Sequence, residues 1–346
     1  MILRAILPIA LAAASSAAAP PAPSHAAASI EARSPIFRRL VPPGSSVRVV
    51  ADGITWAEGP VWVREGGYVL LSDPPENRMY RWAPGETKAG VFLEPSGAGD
   101  TKGLREPGSN GMKPGGPGQI IFADSGDRAV ALLDLRTKAK RILADRFEGK
   151  KLNSPNDLAV APDGAIWFTD PPYGLEGVEK SPLKEQTGDR VYRLAPDGRL
   201  TAEESQLKFP NGIAFSPDGR TLYVSNSDPK NAIILAWDVS AVGKLSRRRV
   251  FADMNALAAK GLPGLPDGMC IDERGDLWAS GPGGIHVLSP QGLELGLIST
   301  GVAMSNCAFG GADGRTIFMT STHQLVALDT KVRGAPARIP NLKRTR

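Results

Sequence analysis

One short phrase recurs six times along this chain of 346 residues, and that recurrence limits the fold more than any other feature. Its clearest copy is SPNDLAVAPDGAIWFTDPPYG, Ser154 to Gly174. Leu158 to Val160 is a short apolar run. Pro162-Asp163-Gly164 is turn chemistry, with Gly supplying the positive φ of a tight hairpin. Ile166 to Thr169, rich in β-branched and aromatic residues, reads as the returning strand. The other copies begin at WAEGPVW (Trp56 to Trp62), SNGM (Ser109 to Met112), FPNGIAFSPDG (from Phe209), LPDGMCID (from Leu265) and MSNCAFGG (from Met304). A single polar residue introduces each unit: Glu58, Asn110, Asn156, Asn211, Asp267 and Asn306, at steps of 52, 46, 55, 56 and 39 residues. Each step has room for four short strands. Strand-only repeats of this length predict an all-β fold, a β-propeller whose blades surround a central channel. Six introductions imply six four-stranded antiparallel blades.

The chain ends point to closure of the ring. The last unit offers three strands, finishing near Asp329, while Ser46 to Ala51 forms a strand ahead of the first introduction. That strand is expected to complete the last blade from outside, so that no sheet edge stays open. The resulting organisation is a signal peptide over 1–28, an extension over 29–45, the propeller over 46–330 and a loose, polar, Pro-containing tail over 331–346. No helix of consequence is evident; Asn255 to Lys260 reads as one turn or two. Scattered Gly and Pro suit a turn-rich β fold.

The first residues carry an address. Arg4 gives a positive start, Ala5 to Ala13 is apolar, and Ala17-Ala18-Ala19 and Ser24-His25-Ala26 fit a small-x-small cleavage site. The apolar run is too short for a comfortable membrane span, so the expectation is cleavage and a periplasmic or secreted product with no membrane association afterwards. An exported chain could pair its two cysteines, Cys270 and Cys307, although two cysteines on apolar strands are as often buried and free. The formal charge of +5 is modest. Its clusters, Arg247-Arg248-Arg249 and Lys343 to Arg346, fall on a presumptive outer strand and a chain end, so nucleic acid is not an expected partner. The chain is expected to be a monomer or a weak oligomer.

In a propeller the innermost strands line the channel, and a residue just before each lies near one mouth. Six positions distant in sequence therefore converge. One Glu, one Asp and four Asn make a set of oxygen donors. Such oxygens suit one hard divalent cation, Ca²⁺ ahead of Mg²⁺ or Mn²⁺, with Zn²⁺ a further alternative that normally calls for imidazole or thiolate. Asn-Gly and Asp-Gly also shape turns unaided, so no single Asn decides the matter. Glu58 has little turn preference, and its apolar setting calls for a partner. Asp157, beside Asn156, also could face the pocket. His286 and His323 read as structural residues in third-strand positions.

At these residues the sequence resembles the SMP-30/gluconolactonase/LRE-like family, and within it the bacterial gluconolactonases, over nearly the whole mature chain from about Ser46 to Asp329. WAEGPVW, LNSPNDLAVAPDG, WFTDPPYGL, FPNGIAFSPDG, PDGMCID and SNCAFGG carry the resemblance together. It implies a six-bladed propeller with a divalent metal in the channel. Glu58, Asn211 and Asp267 match the family's metal-binding Glu, Asn and Asp, and Asn156 matches a channel Asn that contacts substrate or metal. Asp267 also matches the proposed general base. Some animal members carry an Arg two residues before the channel Asn, where this chain has Ser154, so substrate contacts of that Arg do not transfer.

The implied reaction is lactone opening. The cation binds the carbonyl oxygen, water attacks, and Asp267 or a cation-held hydroxide takes the proton. There is no G-x-S-x-G elbow, and no His falls at an introduction, which disfavours a Ser-His-Asp hydrolase. Tyr173, in the loop from Pro171 to Gly188, and Asn110 are further candidates for substrate contact. The expected activity is hydrolysis of a sugar lactone such as glucono-1,5-lactone to the aldonic acid. The alternatives are another lactone, an aryl ester or a phosphotriester on the same metal site, or a propeller that binds without catalysis.

Overall fold

The computed structural model describes residues 28–342. The proposed signal peptide, apart from its last residue, and the basic terminus from Lys343 lie outside the described residues. Six antiparallel sheets form the blades and, apart from the N-terminal strands at the rims of the last two, each runs in chain order from channel to rim. Their inner strands are Glu58–Val63, Ser109–Gly116, Leu158–Val160, Pro210–Phe215, Met269–Ile271 and Met304–Gly310. The introducing residues, expected just before each inner strand, precede it in blades three and five but lie within its first three residues in blades one, two, four and six. The step from third to fourth introduction is long because the Tyr173 loop intervenes between the second and third strands of blade three.

Ring closure follows the expected route. Arg48–Ala51 is the outer strand of the last blade, with Arg48 opposite Ala327 and Val49 opposite Val326. The extension ahead of it is more ordered than its sequence suggested. Ser29–Ala32 adds a fifth strand to blade five, from Ser29 opposite Ser299 to Ala32 opposite Gly296. A helical turn, Phe37–Leu40, then buries Phe37 and Leu40 in the core shared by the last two blades. Gly296 makes room for it, since a methyl group there would overlap the Phe37 ring.

The core lies between blades as much as within them. Trp167 of blade three meets Phe215 of blade four edge-on at 5.8 Å. Trp278 of blade five meets Phe309 of blade six in the same way at 5.5 Å, and Trp62 of blade one stacks on Phe318 of blade six at 5.7 Å. Each such pair contributes about 0.5–1.5 kcal/mol beyond its buried area. These contacts hold the blades at a fixed angle, which fixes the spacing of the inner strands.

Two expectations need correction. The tail from Lys331 is not loose. It runs beneath the propeller, at the end opposite the introductions, and touches one blade after another. Lys331 N donates to Leu40 O at 2.8 Å, Glu273 N to Arg333 O at 2.9 Å, Ala335 N to Ile271 O at 3.0 Å and Asn341 N to Gly164 O at 3.0 Å. Arg338 donates to the carbonyls of Pro217 and Ser216 at 2.6 and 3.1 Å. A polar, Pro-containing composition concealed this because the bonds are made by backbone groups. The tail also floors a channel cavity of about 590 Å³, walled by residues such as Met112, Met269 and Phe309. None of the six introducing residues lines it. Truncation after Thr330 removes the strap, and a loss of about 2–4 kcal/mol is expected, seen as a melting temperature lower by roughly 4–12 °C. An unchanged melting temperature would show that the strap adds nothing.

His323 is not in a third strand. It lies in the turn before Gln324–Asp329, with Nδ1 3.0 Å from the carbonyls of Ile54 and Thr55. His286 is in the third strand of blade five, where Nδ1 contacts Glu294 at 2.6 Å. Cys270 and Cys307 are free thiols on adjacent inner strands, with their sulfurs 2.7 Å apart. Asn255–Ala259 forms the single short helix expected there.

Candidate active site

The site is assembled by contacts that pass from each blade to the next. A hydroxyl on the second strand of one blade donates to a carbonyl at the introduction of the following blade. Ser72 reaches Asn110 O at 2.8 Å, Thr169 reaches Asn211 O at 2.6 Å, and Ser225 reaches Asp267 O at 2.7 Å. Ser280 reaches Ser305 O at 3.0 Å, next to Asn306, and the circle closes differently, through Ser305 Oγ on the inner strand of blade six, which donates to Ala57 O at 2.6 Å, next to Glu58. Blade two has Ala123 at the corresponding place, and there Gly111 N donates directly to Asn156 O at 2.8 Å. These hydroxyls fix the backbone from which the site side chains project. Sequence reading missed them, although LLSD, WFTD, YVSN and LWAS all display the signal.

The blades approach so closely that the residue after an introduction is often Gly. At Gly212 a methyl group would overlap the Asp267 carbonyl, and at Gly268 it would overlap the Asn306 amide. The Asn-Gly and Asp-Gly pairs therefore serve packing between blades, not only turn formation.

Glu58, Asn110, Asn156, Asn211 and Asn306 are buried, and Asp267 is half-buried. The Glu58 carboxylate accepts from Gly59 N at 2.9 Å and from Asn306 Nδ2 at 3.4 Å. Burial, followed by the charge of Asp157, pushes Glu58 up to about 7 against the opposing Gly59 bond. Asp267 keeps some contact with solvent, yet its carboxylate sits deep among protein atoms. That enclosure, followed by the charges of Glu58 and Asp157, holds its pKa well above the usual carboxylate range. Asp157 is fully buried and accepts from Leu158 N at 2.8 Å and Lys113 Nζ at 3.4 Å. Sequence reading noted Asp157 without giving it a role; here its charge acts on both of the other acids.

Two carboxylates and a third, which Lys113 approaches at 3.4 Å, leave a net negative charge in the pocket. Its amides reinforce that character. Asn110 Oδ1, Asn211 Oδ1 and Asp157 Oδ2 are buried without a hydrogen-bond partner among the described residues. Unpaired buried oxygens carry a desolvation cost that a cation or a ligand hydroxyl removes. Among the described residues no three His, Cys, Asp or Glu side chains gather closely enough to hold a metal by themselves. The donor set fits a hard cation only with the amide oxygens included, and Glu58, Asn211, Asp267 and Asn156 are the residues that would hold it. Asn306 is committed differently, since its amide donates to Glu58 and its Oδ1 accepts from Cys307 N at 2.8 Å.

One wall of the pocket comes from loops. Tyr173 stacks on Phe209 at 5.3 Å, and its hydroxyl bonds to Ser227. Ser227 in turn donates to the carbonyl of Pro266, the residue before Asp267. Burial, followed after that hydrogen bond by the charge of Asp267, raises the Tyr173 pKa and keeps the phenol protonated. Against it runs the loop after blade one. Arg105 N and Glu106 N both donate to Gly174 O, at 2.8 and 3.2 Å, and Glu176 N donates to Gly103 O at 2.9 Å. This lock between two loops, and the Glu106 carboxylate it carries, had no visible signal in the sequence.

The family model described as the SMP-30/Gluconolactonase/LRE-like region matches residues 56–323. A gluconolactonase of Zymomonas mobilis is 44% identical over 307 residues, covering 87% of this chain and 86% of that protein. The pentonolactonase XacC of Haloferax volcanii is 28% identical over 282 residues, covering 79% of this chain and 84% of that protein. The solved structure of a gluconolactonase from Xanthomonas campestris superposes with a TM-score of 0.75 at 33% identity, over 90% of this chain and 98% of the other.

Proposed function

Since this chain belongs to the SMP-30/gluconolactonase/LRE-like family, we propose that it is a lactone hydrolase acting on sugar lactones, with glucono-1,5-lactone as the model substrate. The names of its lactonase relatives support the reaction class, and the Zymomonas and Xanthomonas proteins support the six-carbon sugar. The observation that carries the reading is the grouping of Glu58 and Asp267, both with raised pKa values, beside the unpaired oxygens of Asn110 and Asn211. We further propose that the site works with a divalent cation, Ca²⁺ first, and that the protein is exported and acts in the periplasm or outside the cell.

When bound, a divalent cation supplies positive charge that polarises the lactone carbonyl. The remaining work falls to side chains of this chain. Asp267 takes the proton from the attacking water, and its burial, which raises its pKa, makes it a stronger base than an exposed carboxylate. Ser225 and Gly212 hold the Asp267 backbone in place, because Ser225 Oγ accepts from Gly212 N at 2.7 Å while donating to Asp267 O. Asn156 and Asn110 present amide groups to the ring substituents of the substrate. The Tyr173 wall excludes water from one side.

The test is hydrolysis of glucono-1,5-lactone by the purified protein, followed as proton release. Activity well above the spontaneous rate, lost with a chelator and restored by Ca²⁺, is expected. Activity that survives exhaustive chelation would sink the metal requirement. No activity with Ca²⁺, Mg²⁺, Mn²⁺ or Zn²⁺ would sink the sugar-lactone assignment.

A further inference from the structure

We propose that Glu106 is the residue that selects a polyhydroxylated substrate, its carboxylate accepting hydrogen bonds from ring hydroxyls of the lactone. The proposal rests on the lactone-hydrolase reading above and deepens it.

Glu106 belongs to none of the six introductions. It lies just ahead of the inner strand of blade two, on the loop locked to Gly174. The isolated pairing of Leu104 with Leu175 adds to that lock, so the loop carrying Glu106 and the loop carrying Tyr173 are held as one unit. Its side chain is only 16% exposed, against 50% for neighbouring Arg105. The charge of Glu106 reaches Glu58, Asp267 and Tyr173, so its carboxylate lies within electrostatic range of the pocket.

A carboxylate in such a place needs an explanation. Burial pushes its pKa up, and the charge and hydrogen bond of Arg105 at 2.5 Å pull it back. Arg105 engages Oε1, and among the described residues no other side chain is bonded to Glu106. An ionised carboxylate has about four lone-pair sites and no donor, so several remain to receive hydroxyl protons. Vicinal hydroxyls of a sugar ring are matched donors for them. The Tyr173 hydroxyl is already engaged with Ser227, and Asn306 with Glu58 and Cys307. Glu106 is therefore the charged acceptor on this wall still available to a hydroxyl. A site built to bond a hydroxyl rejects the analogue without it far more strongly than an apolar wall can.

The experiment compares wild type with E106Q and E106A on two six-membered lactones, glucono-1,5-lactone and the unsubstituted δ-valerolactone. The ratio of kcat/KM values, sugar over plain lactone, is expected to fall about 30-fold in E106A and less in E106Q, chiefly through KM for the sugar lactone. Equal losses on both lactones, or no loss on either, would overturn the proposal. A calorimetric arm uses D-glucitol, a polyol with no carbonyl to hydrolyse. If wild type hydrolyses neither lactone, the hydrolase reading fails, and this arm alone decides the role of Glu106. Glucitol binding by wild type that E106A loses supports it. Binding unchanged in E106A, or no binding by wild type, overturns it.

Discussion

Replacing Asp267 by Asn should lower kcat for glucono-1,5-lactone by roughly 10³-fold while making the metal-free protein harder to unfold. The loss follows from the role of base, since an amide of the same shape cannot accept the proton of the attacking water. The gain in stability follows from the same environment. Asp267 is enclosed beside Glu58 and Asp157, and their mutual repulsion is a standing cost to the folded state. Asn removes one negative charge and leaves the packing against Gly268 and Ser225 intact. Steady-state kinetics and a thermal melt with chelator present measure the two effects on one preparation. Retention of more than a tenth of the wild-type kcat would remove Asp267 from the role of base. A fall in the metal-free melting temperature would show that its charge is compensated by a partner.

The metal-free protein should also lose stability as pH rises from about 4.5 to about 7. Glu58 has its folded pKa raised from 4.5 to about 7, chiefly by burial. Below the lower value both folded and unfolded chains carry the proton, and the group costs nothing. Between the two values the unfolded chain ionises while the folded chain keeps its proton, so folding becomes less favourable with each step in pH. Above the upper value the full cost is present, about 3 kcal/mol at 1.36 kcal/mol per pH unit. A cation that binds the ionised site returns this energy, so the rise in melting temperature on adding Ca²⁺ should be larger at pH 8 than at pH 5. Glu58→Gln should make the metal-free profile less steep over the same window. A metal-free urea midpoint that increases from pH 5 to pH 8, or an equal slope in E58Q, would contradict this account.

The blade count and the closing strand were legible because they depend on period. A unit of fixed plan, repeated six times, can be counted without knowing any contact, and the missing fourth strand of the last unit is found by subtraction. The introductions were legible for the same reason. What could not be read is whatever depends on how one blade faces the next. Ser225 and Thr169 look like ordinary strand residues, and their bonds to Asp267 and Asn211 cross from one sheet to another. Glu106 sits in a loop rich in Gly and charged residues, and only the bonds to Gly174 O show that this loop turns inward. The tail was misread because its order resides in backbone groups that are the same for every sequence. His323 was displaced by one turn because the boundary between two short strands is the least determined part of such a pattern.

The pairing of Arg48–Ala51 with Gln324–Asp329 has a consequence for biogenesis. The partners are separated by nearly the whole chain, and Ser29–Ala32 likewise waits for Glu294–Ser299. During synthesis the N-terminal segment emerges first, yet its docking partners are the last to be made. The circle cannot shut until translation is complete, so the nascent molecule stays an open arc with unpaired strand edges. The ring locks only after its final blade arrives.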